Sequence, residues 1–224
     1  MLGIELMENF RSPYFSASIH EFWSRWHISL STWFRDYVYI PLGGNRVSKA
    51  RHNINLMLTF IVSGLWHGAS WTFVAWGAVH GLGQIVENAF ARRKQEVHGL
   101  TWLVRVCGTF LFVMTAWVFF RAQSLSDTVY VFTHAFSGAG NIFQYIKLGC
   151  NAVNLKKVAL FQICIYLLIL CVYDYISALG KVDAINILSC KRQAVRWIAY
   201  LTAGLMIVFF SPKGVATEFV YFQF

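Results

Sequence analysis

Long apolar runs alternate with short basic clusters along this chain, and the spacing within each run indicates its element. Ser18-Ile19-His20-Glu21 has the S-x-x-E form of a capping box, which satisfies two orphan backbone donors at a helix start. The helix it opens is expected to run to about Tyr37. Phe22, Trp26, Leu30, Trp33, Phe34 and Tyr37 fall on one stripe at helical spacing, and Arg25, His27, Ser31, Arg35 and Asp36 occupy the rest. Too polar to span and rich in Trp and Arg, the segment reads as an amphipathic helix in the membrane interface. Pro41 and Gly43-Gly44 end it, and Arg46, Lys49 and Arg51 follow as a basic loop.

Ile54 to Val86 contains no Asp, Glu, Lys or Arg. One span needs only about 20 residues, so this stretch is read as two membrane segments bent near Gly64 to Ser70. Gly64 to Gly68 and Gly77 to Gly81 both have the form G-x-x-H-G. Each is also G-x-x-x-G, a spacing that lets helices approach closely in lipid. A third span is expected from about Trp102 to Phe120, then a loop of mixed polarity from Arg121 to Lys157. A fourth span covers about Val158 to Tyr173 and a fifth about Trp197 to Phe210, ended by Pro212. The tail Glu218 to Phe224 is aromatic and interfacial. The expected architecture is all-α: a polytopic integral membrane protein with about five membrane segments and an N-terminal interfacial amphipathic helix. Residues 1–224 read as a single membrane domain.

Composition agrees with lipid as the solvent. Hydrophobic residues make up 57% of the 224 and charged residues 13%, against roughly 45–50% and about 25% for a soluble domain. Disorder, coiled coil and a small disulfide scaffold are excluded. The net charge of +9 sits in clusters between apolar runs rather than on a face interleaved with exposed aromatics, which argues against nucleic acid. Folding the spans as above puts Arg46, Lys49, Arg51, Arg92, Arg93, Lys94, Lys181, Lys191, Arg192 and Arg196 on one side. Arg121, Lys147, Lys156, Lys157 and Lys213 fall on the other. The richer side is expected to be cytoplasmic, in a multi-pass protein of the inner (cytoplasmic) membrane. Five Cys without a C-x-x-C suggest neither a disulfide framework nor zinc. Met1 to Phe10 has no basic or apolar signal region and reads as the middle of a longer arrangement.

Polar residues inside apolar runs are the candidates for chemistry. His67 is the strongest, flanked by Gly64 and Gly68 and bracketed by Trp66 and Trp71, with Ser63 and Ser70 on its helical face. A neutral imidazole there suits a general base, and spacing alone leaves base and packing roles open. His80, 13 residues on, reads as packing. His27 lies on the polar side of the first helix and by spacing reads as a solvated or capping residue. His20, Asp174 and Glu218 fall near helix ends; His52, His98 and His134 read as loop residues. No H-x-x-x-H pair, G-x-S-x-G elbow or phosphate loop is present, and no metal is expected. These features alone also permit a transporter or channel subunit.

Three stretches narrow the choice: EFWSRWHISLSTWFRDYVYIPLGGNR (Glu21 to Arg46), SGLWHGASWTFVAWGAVHG (Ser63 to Gly81) and WVFFRA (Trp117 to Ala122), with the ending FVYFQF as support. On them the chain resembles the membrane-bound O-acyltransferase family, in its bacterial alginate O-acetylation and teichoic-acid D-alanyl transfer branch. The resemblance implies that His67, in the G-x-W-H-G context, is catalytic. It also implies a functional role for His27, in the R-W-H-x-S context, in place of the capping role that spacing favours. Arg25, Trp26, Trp66, Asp36 and Asn45 match motif positions without an implied role. Family members form a ring of helices around a tunnel. An acyl thioester donor, acetyl-CoA or an acyl carrier, arrives from the cytoplasmic face with no bound cofactor. The acyl group passes to hydroxyls of an extracytoplasmic polysaccharide, often through a partner acetyltransferase. Family members carry further membrane helices before the first stretch, so the chain reads as the C-terminal part of such a fold. An inactive fragment that packs as a scaffold is the remaining reading.

Overall fold

The computed structural model describes residues 7–90, 99–137, 140–152, 157–178, 180 and 191–210. Among them every regular element is helical. A 3-10 turn at Pro13–Phe15 precedes α1 (Ile19–Arg25), α2 (Ile28–Phe34) and a π turn (Arg35–Tyr39). Then come α3 (Lys49–His67), α4 (Trp71–Phe90), α5 (Gly99–Arg121), α6 (Leu125–His134), α7 (Ile142–Ala152), α8 (Lys157–Ala178) and α9 (Gln193–Phe210).

The expected N-terminal amphipathic helix is broken. α1 stops at Arg25, and His27 sits in the left-handed region at φ 45°, ψ 54° before α2 resumes. Its opening follows the sequence: the Ser18 hydroxyl accepts from Glu21 N at 3.0 Å. The Glu21 carboxylate reaches back one residue further than a capping box requires, to Ala17 N at 2.7 Å. A distant residue completes the cap. Glu87, near the end of α4, accepts from the backbone N–H groups of Ile19 and His20 at 3.2 and 2.9 Å, placing a negative charge where a helix N-terminus favours one. Asn9 serves α2 in the same way, its side chain accepting from Ser29 N at 2.9 Å and its carbonyl from Ile28 N at 3.0 Å. The apolar stripe divides with the break. Phe22 and Phe34 are buried, while Trp33 and Tyr37 are exposed.

α3 and α4 form the hairpin expected from Ile54–Val86, turning at residues 68–70. Each is about 30 Å long at 1.5 Å per residue. The glycines make the close approach. A Cβ on Gly64 would lie 2.2 Å from the Phe73 carbonyl oxygen, and one on Gly77 2.2 Å from that of Phe60. The crossing is nearly reciprocal, each helix presenting a glycine to the other's backbone. The polar residues of the hairpin turn inward: Asn55, Ser63, Thr72, His80 and Gln84 are all buried. Asn55 donates to the carbonyls of Leu42 and Gly44 at 3.0 and 3.2 Å, pinning the segment after the π turn to α3.

Of the five expected spans, two described helices are long and apolar enough to cross a membrane, Gly99–Arg121 and Ala159–Ala178. The most apolar window of α8 is wholly unburied, so its Phe161, Ile165, Leu168 and Ile169 face outward. The expected loop from Arg121 to Lys157 instead holds α6 and α7. Each has a capping residue: Ser124 accepts from Asp127 N at 3.1 Å, and Asn141 from Gln144 N at 3.1 Å. His52 belongs to the first turn of α3 and His134 ends α6, so neither is a loop residue.

The chain divides into two units, Met1–Asp174 and Tyr175–Phe224. The first holds α1 to α7 and most of α8. The second holds the end of α8 and α9. Arg92, Arg93, Lys94, His98, Lys156, Lys181, Pro212, Lys213 and the Glu218–Phe224 tail lie outside the described residues.

Candidate active site

His67 is the last residue of α3, at the bend expected near Gly64 to Ser70. The chain turns immediately after it because Gly68 lies against the Phe73 ring, where a Cβ would come within 2.6 Å. That turn folds α4 back over the imidazole. The ring meets Trp76 edge-on, with centroids 5.4 Å apart at 90°, and Phe120 of α5 at 5.1 Å and 75°. Trp66 covers another side at 5.1 Å. Its expected counterpart Trp71 is exposed. Nδ1 of His67 is buried and has no hydrogen-bond partner among the described residues. Ser70 lies in the turn and pairs its hydroxyl with that of Thr72 at 3.0 Å.

His27 is brought within electrostatic reach of His67 by the break between α1 and α2. Its backbone conformation is uncommon for a side chain with a Cβ. Burial pushes its pKa below the ordinary histidine value, opposed by a backbone hydrogen bond, so the ring favours the neutral form. Ser29 Oγ stands 3.5 Å from its Nδ1.

His80 is 1% exposed. Nδ1 accepts the indole N–H of Trp23 at 3.3 Å, so the neutral ring carries its proton on Nε2. Phe22 and Phe60 stack near it at 6.4 and 6.1 Å, and Trp76 meets it at 5.0 Å and 72°. This agrees with the packing role expected from spacing. Trp76 thus touches both hairpin histidines. Trp117 joins it to the first helices, stacking near Trp76 at 6.3 Å and meeting Trp26 at 5.3 Å. The Tyr14 hydroxyl lies beside the Trp117 indole, and burial outweighs that contact in raising the phenol's pKa.

The other motif residues have structural partners. Arg25 pairs with Glu21, one turn earlier on α1. Asp36 pairs with Arg35 on the exposed π turn, and the guanidinium holds its carboxyl below the usual range. Asn45 lines a cavity of about 580 Å³ between the α1–α2 segment and the α3–α4 hairpin. Trp23, Ser31, Tyr39, His52 and Ser63 also line it, with the Tyr39 hydroxyl 2.9 Å from His52 Nδ1. Ser63 stands one helical turn before His67, and His67 itself is not among the lining residues. His20 lines the cavity too, while Asp174 lies on α8 and accepts from Ser12 at 3.4 Å.

Sequence reading did not single out Trp76, Trp23, Trp117 or Glu87. Trp23, Trp76 and Trp117 fall inside quoted motif stretches, but their partners lie on other helices. No local spacing encodes those contacts.

Comparison with known proteins identifies the family. Residues 1–132 match the family described as MBOAT, membrane-bound O-acyltransferase family, a span containing all three motif stretches. The "Probable alginate O-acetylase AlgI" of Azotobacter vinelandii is 48% identical over 139 residues, covering 61% of this chain and 27% of that protein. The "Peptidoglycan O-acetyltransferase" of Helicobacter pylori is 45% identical over 134 residues, covering 58% and 25%. The "Teichoic acid D-alanyltransferase" of Streptococcus thermophilus is 39% identical over 105 residues, covering 44% and 25%. The matched segment spans about a quarter of the length of these relatives. The chain belongs to the membrane-bound O-acyltransferase family.

Proposed function

We propose that this protein takes part in the transfer of an acyl group, acetyl in the first instance, from a thioester to hydroxyls of an extracytoplasmic polysaccharide. The observation that carries the reading is His67, held in an aromatic recess with a buried, unpartnered Nδ1 and within electrostatic reach of His27. A neutral imidazole in such a recess accepts a proton from an attacking hydroxyl. The oxygen then bonds to the thioester carbonyl carbon, the C–S bond breaks, and the proton passes to the departing thiolate. His27, whose ring favours the neutral form, is given the role of orienting the acceptor in this reading.

The acyl donor, acetyl-CoA or an acyl carrier, enters from the side of Arg46, Lys49 and Arg51, which is cytoplasmic in this reading. The cavity of about 580 Å³ falls within the range of sites for extended small molecules and receives the acyl-bearing arm. The acceptor approaches from the opposite face, directly or through a partner acetyltransferase. Support comes from the family membership and from relatives named as O-acetyl and D-alanyl transferases. On this reading the protein lies in the inner membrane as a multi-pass chain. In this arrangement α3, α4 and α9 complete five segments with α5 and α8, the inward polar residues of the hairpin being covered by protein.

The test is His67→Ala and His67→Gln in the native host, with polymer O-acetyl groups measured chemically. Loss of acetylation with unchanged protein level is expected. Full acetylation in both variants would overturn the role of His67.

A further inference from the structure

Three buried ring nitrogens in this cluster have no partner among the described residues: Nδ1 of His67, Nε1 of Trp76 and Nε1 of Trp117, the last beside the Tyr14 hydroxyl. The rings of His67 and Trp76 are in edge-to-face contact at 5.4 Å. Trp76 is 2% exposed, and the rings around it are those of Trp23, His67, His80, Trp117 and Phe120. An indole N–H buried among such rings without an acceptor carries an uncompensated desolvation cost. A phenylalanine would cover much of the same apolar surface without that penalty. A donor left unpaired by its own protein, beside an imidazole read as the base, is placed for an acceptor that arrives with the substrate.

On the acyltransferase reading above, we infer that the Trp76 indole N–H donates to the carbonyl oxygen of the acyl thioester, stabilising the oxyanion that forms there. As the acceptor oxygen bonds to the carbonyl carbon, the C=O π pair moves onto the carbonyl oxygen and His67 takes the hydroxyl proton. The pair returns as the C–S bond breaks, and the thiolate leaves with the proton from His67. Trp76 transfers nothing; it lowers the barrier by meeting negative charge as it develops. The surrounding rings fix the donor beforehand, and their low polarity strengthens its interaction with charge. The hairpin supplies the rigidity, because the Gly64 and Gly77 contacts hold α4 against α3 close to Trp76 and His67.

The test replaces Trp76 in the full chain with β-(3-benzothienyl)alanine, which keeps the bicyclic shape and puts sulfur in place of N–H. Membranes from the native host are assayed for thiol release from acetyl-CoA with polysaccharide present. The expected result is a fall in kcat of roughly 10²–10³-fold, the usual cost of one oxyanion donor, with KM for acetyl-CoA unchanged within about twofold. A kcat retained within about twofold overturns the assignment, and so does a loss confined to KM. A second readout needs no turnover. The ketone analogue of acetyl-CoA, with methylene in place of sulfur, is added to purified unmodified and substituted chains, and its carbonyl stretch is recorded by infrared spectroscopy. A lower frequency in the unmodified chain supports the hydrogen bond, and equal frequencies or no bound analogue overturn it. No thiol release from unmodified membranes, with the frequency shift intact, defeats the acyltransferase reading and leaves the indole contact standing.

Discussion

The indole N–H of Trp23 on α1 donates to Nδ1 of His80 on α4 across 3.3 Å, joining two residues 57 positions apart through a part-buried polar contact. This bond gives His80 an explanation that His67 lacks: its acceptor is satisfied inside the protein. Trp23→Phe removes the donor and leaves Nδ1 buried and unpaired. A loss of about 1–3 kcal/mol is expected, read as a lower melting temperature of the purified chain. His80→Phe removes the acceptor but leaves the Trp23 N–H, which borders the cavity and can reach water there, so its cost should be smaller.

Gly64 and Gly77 set the spacing of the α3–α4 hairpin. An alanine at either position would put a methyl 2.2 Å from a backbone oxygen of the facing helix, and backbone cannot swing aside as a side chain can. Gly64→Ala or Gly77→Ala should cost about 1–3 kcal/mol or more and displace Trp76 from His67, lowering both melting temperature and acetylation. A Cβ on Gly108 of α5 would meet nothing within 4 Å. Gly108→Ala should therefore be neutral or stabilise by up to about 1 kcal/mol, and the contrast is measured by thermal unfolding in one detergent.

The start of α1 depends on Ser18 locally and Glu87 at long range. Ser18→Ala should cost about 0.5–2 kcal/mol. Glu87→Gln keeps an acceptor but removes the charge that meets the helix N-terminus, an effect of about 0.3–1 kcal/mol. Chemical denaturation of the single variants checks both values, with Glu87→Gln the smaller.

His27 carries a backbone cost that glycine would not. A left-handed residue with a Cβ is disfavoured by roughly 1–2 kcal/mol. His27→Gly should accordingly be more stable than His27→Ala by about that amount, while both lose acetylation. Equal stability of the two variants would argue against the left-handed conformation at this position.

The same residue predicts a pH dependence. Its folded pKa lies below the ordinary value of 6.5 because burial disfavours the charged ring. Between the two values the unfolded chain binds more protons than the folded one, so stability rises with pH there. The contribution is full above about pH 6.5 and is lost as pH falls through the folded pKa. Melting temperatures are compared from about pH 5 to pH 7.5, and that of the parent chain should fall relative to that of His27→Asn as pH falls. A constant difference would contradict the buried, neutral state.

Much of the helical plan was legible locally. The Ser18 cap, the uncharged stretch Ile54–Val86 and the runs that became α5, α8 and α9 all follow from spacing and composition. The caps of α6 and α7, Ser124 with Asp127 and Asn141 with Gln144, were present in the sequence too, but the mixed polarity of that region hid them. The break at His27 was not legible. Residues 18–37 have continuous helical periodicity, and what interrupts them is Asn9, which supplies the N-terminal partners of α2 from outside the segment.

By itself the sequence determined an all-helical, lipid-compatible chain, its family, and which two histidines stand in the family's motif contexts. Only the tertiary structure decided how those histidines differ from His80. Helical spacing says which residues share a face, but a buried polar atom is defined by what the other helices bring to it. Trp23 comes from α1 to satisfy His80, whereas Trp76 and Phe120 enclose His67 without offering Nδ1 a partner. Local sequence cannot express that difference, because each contact is made by residues distant in the chain and close only after the hairpin has formed.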